Sequence, residues 1–304
     1  MKTIDALRGN ESIILDYYDI YITGNKHIDC VFCDKKEKSM RISMYKDNLI
    51  YICTCSTGSI IEYIREITGS DFATTAKKID ELIGNTGYKC EPKPVDNRAS
   101  NALRRFKKAP SLRGTDGEKY LNGRDIYTMP ELGIKFSESR SGHNFLFAIA
   151  TDDQYKAVMM HQTFLQGDKK ADIELNKKMI TLKESMGSIS VKMFHAQETL
   201  GIGEGIESAL SAAQIYKGSV WAVLSSSLMK RFKAPIGVSH LIIYADHDKK
   251  GAGFAAAFDC ASKNLLCRND VKRVTVKYPS EQGYDFNDVL IKGCTVHEIR
   301  LGEL

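Results

Sequence analysis

The sequence predicts an α/β protein: a small cysteine-bearing module, then a larger domain ending in a parallel, Rossmann-like sheet. Three observations carry this. From Leu200 onward strand-like and helix-like stretches alternate, the order that builds a parallel sheet with right-handed crossovers. Four of the eight cysteines, Cys30, Cys33, Cys53 and Cys55, fall within a short N-terminal span. The chain has 304 residues, which suggests about two domains.

The elements follow in order. Asp5 to Tyr18 opens with a helix. Arg41 to Tyr45 and Leu49 to Ile52 read as two strands joined by the polar turn Lys46-Asp47-Asn48. Ser59 to Thr68 carries a helical stripe of Ile60, Ile61, Ile64 and Ile67, and Asp71 to Ile83 repeats the pattern. Residues 86–113 hold three prolines and little apolar periodicity, so they read as a linker with a helical piece around Ser100 to Lys108. Gly117 to Ile126 is a helix stopped by Gly123. Asn144 to Ala150 and Lys156 to Phe164 are antiparallel strands, and the charged stretch Gly167 to Lys178 is a loop on that sheet. The late strands are Leu200 to Gly203, Val220 to Leu224, Leu241 to Ala245 and Arg273 to Tyr278. Helices fill Ile206 to Tyr216, Ser227 to Phe232 and Gly253 to Cys267.

Composition narrows the function classes. With 43% hydrophobic residues and a mean hydropathy of −0.28, the chain has material for real cores. It carries no apolar run of membrane-spanning length and no signal-peptide layout at its start, so a cytoplasmic protein without a membrane partner is expected. No Gly-x-x-x-x-Gly-Lys-Ser/Thr occurs, which excludes a P-loop ATPase. The net charge of +5 is concentrated. Lys89 to Arg113 holds eight Lys/Arg against Glu91 and Asp96. Such a stretch fits a phosphate backbone as well as a solvated linker.

Two constellations carry chemistry. Gly203-Glu204-Gly205-Ile206-Glu207 follows one expected strand, and Asp246-His247-Asp248 follows the next long one. Ligand sites of open α/β sheets lie at that C-terminal edge. Gly283-Tyr284-Asp285-Phe286-Asn287-Asp288 adds Asp285 or Asp288 after the last strand. Carboxylates crowded together call for a hard cation such as Mg²⁺ or Mn²⁺. Glu204 is then a general base or a water-mediated ligand, and Lys249, Lys250 and Gly251 form a loop able to hold phosphate. The second constellation is Cys30-Val31-Phe32-Cys33 with Cys53-Thr54-Cys55, two ligand pairs suited to tetrahedral Zn²⁺. Cys-x-Cys has a tighter bite than Cys-x-x-Cys, and His27 is a possible replacement ligand.

These phrases resemble a known family. Glu204-Gly205-Ile206-Glu207-Ser208-Ala209-Leu210, Val220 to Ser225, Ala245 to Gly251 and Asp285 to Leu290 resemble the TOPRIM domain of primases, topoisomerases and some nucleases. The wording is closest to the DnaG-type primases of phages and mobile elements. Tyr120 to Arg124 and His161-Gln162-Thr163-Phe164-Leu165 look like the segment that precedes TOPRIM there. The cysteine module resembles the primase zinc-binding domain, with one residue fewer between its last two cysteines.

The resemblance implies four parts: a zinc-ribbon domain (1–86), a basic linker (87–113), the N-terminal subdomain of a primase core (114–197) and a TOPRIM subdomain (198–304). It implies that Glu204, Asp246 and Asp248 are catalytic metal-site acids. The implied activity is RNA primer synthesis on single-stranded DNA from ribonucleoside triphosphates, with a separate replicative helicase as partner and, for a phage protein, the host cytoplasm as location. Arg104, Arg105, Lys107 and Lys108 are then template contacts. Arg124, Lys170 and Lys178 are triphosphate contacts, and the zinc module reads the template through residues such as Arg41, Tyr45 and Lys46. The rival readings are a TOPRIM nuclease or RNA-processing enzyme and a non-catalytic recombination mediator.

Overall fold

In a computed structural model, which describes residues 2–33, 38–85, 98–138, 143–183 and 187–303, the chain divides into two compact units. One comprises Met1–Val95 and Leu266–Arg268, the other Asp96–Leu265 and Asn269–Leu304.

The first unit opens with helices α1 (Thr3–Ala6) and α2 (Glu11–Tyr17). Strands β1 (Met40–Tyr45) and β2 (Asn48–Cys53) pair antiparallel with Tyr45 opposite Asn48. Lys46 and Asp47 sit between them at φ 46° and 57°, the left-handed pair that a tight two-residue hairpin turn requires. Strand β3 (Thr57–Ser59), absent from the sequence reading, completes a β1-β2-β3 sheet. Its last residue caps α3 (Ile60–Thr68). Ser59 Oγ accepts from the Glu62 N–H while Glu62 Oε2 accepts from the Ser59 N–H at 2.8 Å, a reciprocal capping box. Asp71 caps α4 (Phe72–Leu82) by accepting from Thr74 N–H at 2.7 Å. Ile14, Met40, Ile42, Ile60, Ile64 and Ile79 form the core, and all four clustered cysteines join it.

The second unit begins with α5 (Arg98–Lys108), α6 (Asp116–Asn122) and an antiparallel sheet. Its strands are β4 (Ile134–Ser137), β5 (Asn144–Thr151), β6 (Ala157–Gln166), β7 (Lys169–Lys170) and β8 (Lys177–Thr181), in the order β4-β5-β6-β7 with β8 also on β6. Alternation along β5 supplies both faces. Leu146, Ala148 and Ala150 point to one core, and Phe145, Phe147 and Ile149 to another. Two expectations are corrected here. Residues 167–178 are not one loop, since β7 and the start of β8 bond to β6 within that span; their charge hid a backbone ladder. The helical piece expected at Ser100 to Lys108 is α5, and it is packed where a free linker helix was expected: Ala102 and Phe106 cover the Phe147 face, with Phe106 and Phe147 edge-to-face at 5.4 Å. Four exposed basic side chains, Arg104, Arg105, Lys107 and Lys108, masked that short apolar stripe. Residues 87–97 of the expected linker, with Lys89 and Lys93, lie outside the described residues.

The second half of this unit runs β9 (Thr199–Gly203), α7 (Ile206–Tyr216), β10 (Val220–Ala222), α8 (Ser226–Met229), β11 (His240–Tyr244), α9 (Ala252–Leu266), β12 (Arg273–Pro279), α10 (Phe286–Lys292) and β13 (Val296–Gly302). The sheet order is β10-β9-β11-β12-β13. The first four strands are parallel, and the unforeseen β13 is antiparallel at the edge. The chain leaves β9 for one side and returns to its other side at β11, so a switch point opens at their shared C-terminal edge. Helix α7 is buried from Ile206 to Ala213 and packs into the same core as Leu146, Ala148 and Ala150 of β5. A helix covered on all sides is apolar or small-residued all round. Trp221 is core: it is 2% exposed, and its Nε1–H donates to Phe194 O at 2.8 Å.

Candidate active site and cysteine centre

The switch point opens on a cavity of about 380 Å³ within the second unit. Glu204, just past β9, lines it, as do Asp246, just past β11, and Asp285, the N-cap of α10. The loop after β11 brings the third acid in. His247 N–H donates to Tyr284 O at 3.0 Å and Gly283 N–H to His247 O at 2.6 Å, which ties the approach of α10 to the Asp-His-Asp turn. Ser208 of α7 joins them further: its Oγ donates to Asp246 Oδ1 at 3.3 Å and accepts from Phe286 N–H at 3.2 Å.

The electrostatics follow from the crowding. Burial, then the Asp285 and Glu204 carboxylates, push the Asp246 carboxyl up to about 7. Burial also raises Glu204, opposed by the backbone N–H of Ser226. Asp248 behaves differently. It accepts from the N–H groups of Gly253 at 2.5 Å, Lys250 at 2.9 Å and Ala252 at 3.1 Å, which hold it below the usual carboxylate range. It thereby anchors the start of α9. Gly253 must be glycine for this approach, because a Cβ there would stand 2.6 Å from Asp246 O. Asp288 does not line the cavity; it completes the α10 capping box and pairs with Lys292 at 2.7 Å.

The antiparallel sheet adds His161, Lys170, Lys177 and Met179 to the lining, and Arg124, just past α6, joins them. Lys177 and Met179 alternate along β8 with Lys178 between them, so strand pleat carries Lys178 to the other face, where it is exposed. Asn287, 1% exposed, ties the Arg124 segment to α10 by donating to Arg124 O at 2.9 Å.

In the first unit the Sγ atoms of Cys30, Cys33, Cys53 and Cys55 all lie within 4.8 Å of one another, and all four residues are buried. Among the described residues this is the one grouping of three or more His, Cys, Asp or Glu side chains close enough to hold a single metal ion. Burial pushes the Cys30 thiol up to about 11 and raises Cys55 also. Burial opposes ionisation of Cys53, but the Cys55 N–H and the Ser39 hydroxyl outweigh it and bring Cys53 down to about 6. Sulfur donors at this spacing suit a soft or borderline cation. Cys53 N–H donates to Ser56 O at 2.9 Å, a tight turn that lets Cys-x-Cys point both sulfurs inward. His27 is exposed and outside the quartet.

Two segments of the chain match known families. Residues 199–295 match the Toprim domain family. Residues 96–188 match a family described as a domain of unknown function, DUF7146. Among curated proteins no match was found. Among solved structures, the Aquifex aeolicus primase, zinc-binding and RNA polymerase domains, aligns at 15% identity and TM-score 0.43 over 98% of this chain and 86% of that one. The primase fragment of the bacteriophage T7 primase-helicase protein aligns at 16% identity and TM-score 0.40, over 88% and 96%. A DNA primase domain from Pseudomonas aeruginosa aligns at 14% identity and TM-score 0.42, over 65% and 75%.

The Toprim segment thus contributes Glu204, Asp246 and Asp285 to the cavity, with Asp248 at its margin and Lys249 exposed in the turn beyond. Arg104, Arg105, Lys107 and Lys108 lie exposed on α5 and do not line the cavity. Arg105 lies over the Phe145 and Phe147 rings at 5.9 and 6.0 Å. Sequence reasoning missed Lys177, His161 and Glu207 as cavity residues. Strand alternation offered a signal for the first two, and a Glu on an otherwise apolar helix face for the third.

Among the described residues, no helix is long and apolar enough to cross a membrane.

Proposed function

We propose that this chain is a DNA primase that joins ribonucleotides into short RNA primers on a single-stranded DNA template. One observation carries the reading: a single cavity is lined by the Toprim carboxylates Glu204, Asp246 and Asp285, by Lys170 and Lys177 of the antiparallel sheet and by Arg124 just past α6. Its volume suits a nucleotide. The donor set fits a hard divalent cation, Mg²⁺ or Mn²⁺, because it is all oxygen and because Asp246 keeps a proton up to about pH 7 without one. Glu204, Asp246, Asp248 and Asp285 are the residues that would hold it, in part through water because their oxygens stand farther apart than the cysteine sulfurs do, with Asp288 serving the helix cap. The bound cation would neutralise triphosphate charge and acidify a primer 3′-hydroxyl.

The chain's own groups supply the rest. Glu204, half-buried with a raised pKa, accepts the 3′-hydroxyl proton. Arg124, Lys170 and Lys177 bind the triphosphate and orient it for in-line attack. The exposed Arg104, Lys107 and Lys108 of α5 contact the template backbone. The cysteine quartet binds Zn²⁺, which folds the first unit and presents Arg41, Tyr45 and Lys46 to the template. A replicative helicase on a separate chain delivers that template, and the reaction takes place in the cytoplasm. Incubation with Mg²⁺, single-stranded template and labelled ribonucleotides tests the reading. Template-dependent oligoribonucleotides are expected. Cleavage of the template without synthesis would assign the cavity to a nuclease instead.

A further inference from the structure

Glu207 is the one buried carboxylate among the described residues, at 4% exposure. It projects from α7 into the cavity wall. Its Oε1 accepts from the Tyr120 hydroxyl at 2.8 Å and lies 3.3 Å from Lys170 Nζ, while its Oε2 lies 3.3 Å from Lys177 Nζ. The two lysines arrive on different strands, β7 and β8, each paired to β6. On β6, opposite Met179 of β8, stands His161, which is 5% exposed with an Nδ1 that has no partner, and Arg124 Nε is also buried and unpartnered. Buried polar atoms without partners are uncommon and mark a place for a ligand. Three cations against one buried carboxylate leave this wall with excess positive charge.

Two ammonium groups brought together in a partly dry wall repel each other, and burial pushes the Lys170 ammonium toward its neutral form while Glu207 opposes that. We propose that Glu207 is a positioning residue whose two carboxylate oxygens hold the Lys170 and Lys177 ammoniums side by side, so that these and His161 receive adjacent phosphates of the incoming triphosphate. This rests on the nucleotidyl-transfer reading of the cavity. Glu207 does not touch substrate; it acts through the lysines. A fixed pair of donors loses less conformational freedom on binding than two independent lysines.

Calorimetric titration of the full chain with inorganic tripolyphosphate, without divalent cation, tests this directly. The unaltered chain binds, and Glu207→Gln weakens binding by about tenfold, the order expected when charge-assisted contacts lose their preorganisation. Glu131→Gln, which makes the same change in net charge at an exposed site, stays within about twofold. In primer synthesis Glu207→Gln raises KM for ribonucleotides about tenfold and leaves kcat within about twofold. Should Glu207→Gln fail to fold, Glu207→Asp carries the test: it keeps the charge but is one methylene too short to span both lysines, and weaker binding is expected. Equal or tighter tripolyphosphate binding by either folded variant overturns the proposal. Loss on Glu207→Gln in a chain that makes no primer sustains the positioning role and sinks the polymerase reading. Failure of the unaltered chain to bind overturns both.

Discussion

Asp246 is where the cavity's unfavourable charge gathers. Its carboxyl is pushed from an ordinary 3.8 to about 7 by burial and by Asp285 and Glu204. Folding therefore binds a proton that the unfolded chain releases near pH 4, and the metal-free protein loses this stability as pH rises from about 4 through 7. Asp246→Asn removes the penalty. Without added divalent cation at pH 8, denaturant unfolding is expected to find Asp246→Asn about 2 kcal/mol more stable than the unaltered chain. The difference shrinks toward zero near pH 4. Added Mg²⁺ stabilises the unaltered chain and not the variant. At this scale the sequence was partly legible. Glu204 and Asp246 stand out because each comes just past an apolar strand-like stretch. The choice between Asp285 and Asp288 was not legible, because it depends on a helix cap and on Lys292, and both only exist once α10 forms.

Elements carry the next level. In sequence Cys53-Thr54-Cys55 is a usable ligand pair with a tighter bite than Cys-x-x-Cys, and a turn closed by Cys53 N–H on Ser56 O lets both sulfurs join Cys30 and Cys33. One Zn²⁺ per chain is expected by elemental analysis. Chelation or Cys55→Ser is expected to lower the unfolding transition of the first unit, since metal affinity there is folding free energy on the order of 10 kcal/mol. The transition of the second unit is expected to stay put in scanning calorimetry.

Helix α5 shows the opposite kind of legibility. Its charge was visible as a basic stretch, whereas its packing through Ala102 and Phe106 was not, because an 11-residue helix offers only a short apolar stripe. Its exposed cations make a quantitative prediction. Each of Arg104→Ala, Lys107→Ala and Lys108→Ala is expected to lower the salt slope of single-stranded DNA binding by about 0.7, with little effect on stability. Arg105→Ala is expected to cost packing as well, because its guanidinium lies over two phenylalanine rings. Unchanged slopes in all four variants would move the template elsewhere.

Across the whole molecule, the parallel half was read from its rhythm of strands and helices, and the structure adds β13, α10 and the β4–β8 sheet's short strands to that outline. What rhythm could not supply is the meeting of two sheets around α7. It puts Toprim acids and cationic side chains into one cavity, from residues as far apart in sequence as Arg124 and Asp285. That meeting is the basis for proposing nucleotidyl transfer for this chain. The most direct test compares the unaltered chain with Glu204→Gln in a primer-synthesis assay over a library of template trinucleotides, with Mg²⁺ and all four ribonucleotides. The account predicts short, template-dependent RNA from the unaltered chain and at least a roughly hundredfold lower rate from Glu204→Gln, the scale of losing a general base. Primer synthesis undiminished in Glu204→Gln, or none from the folded, zinc-loaded chain on any template, would contradict it.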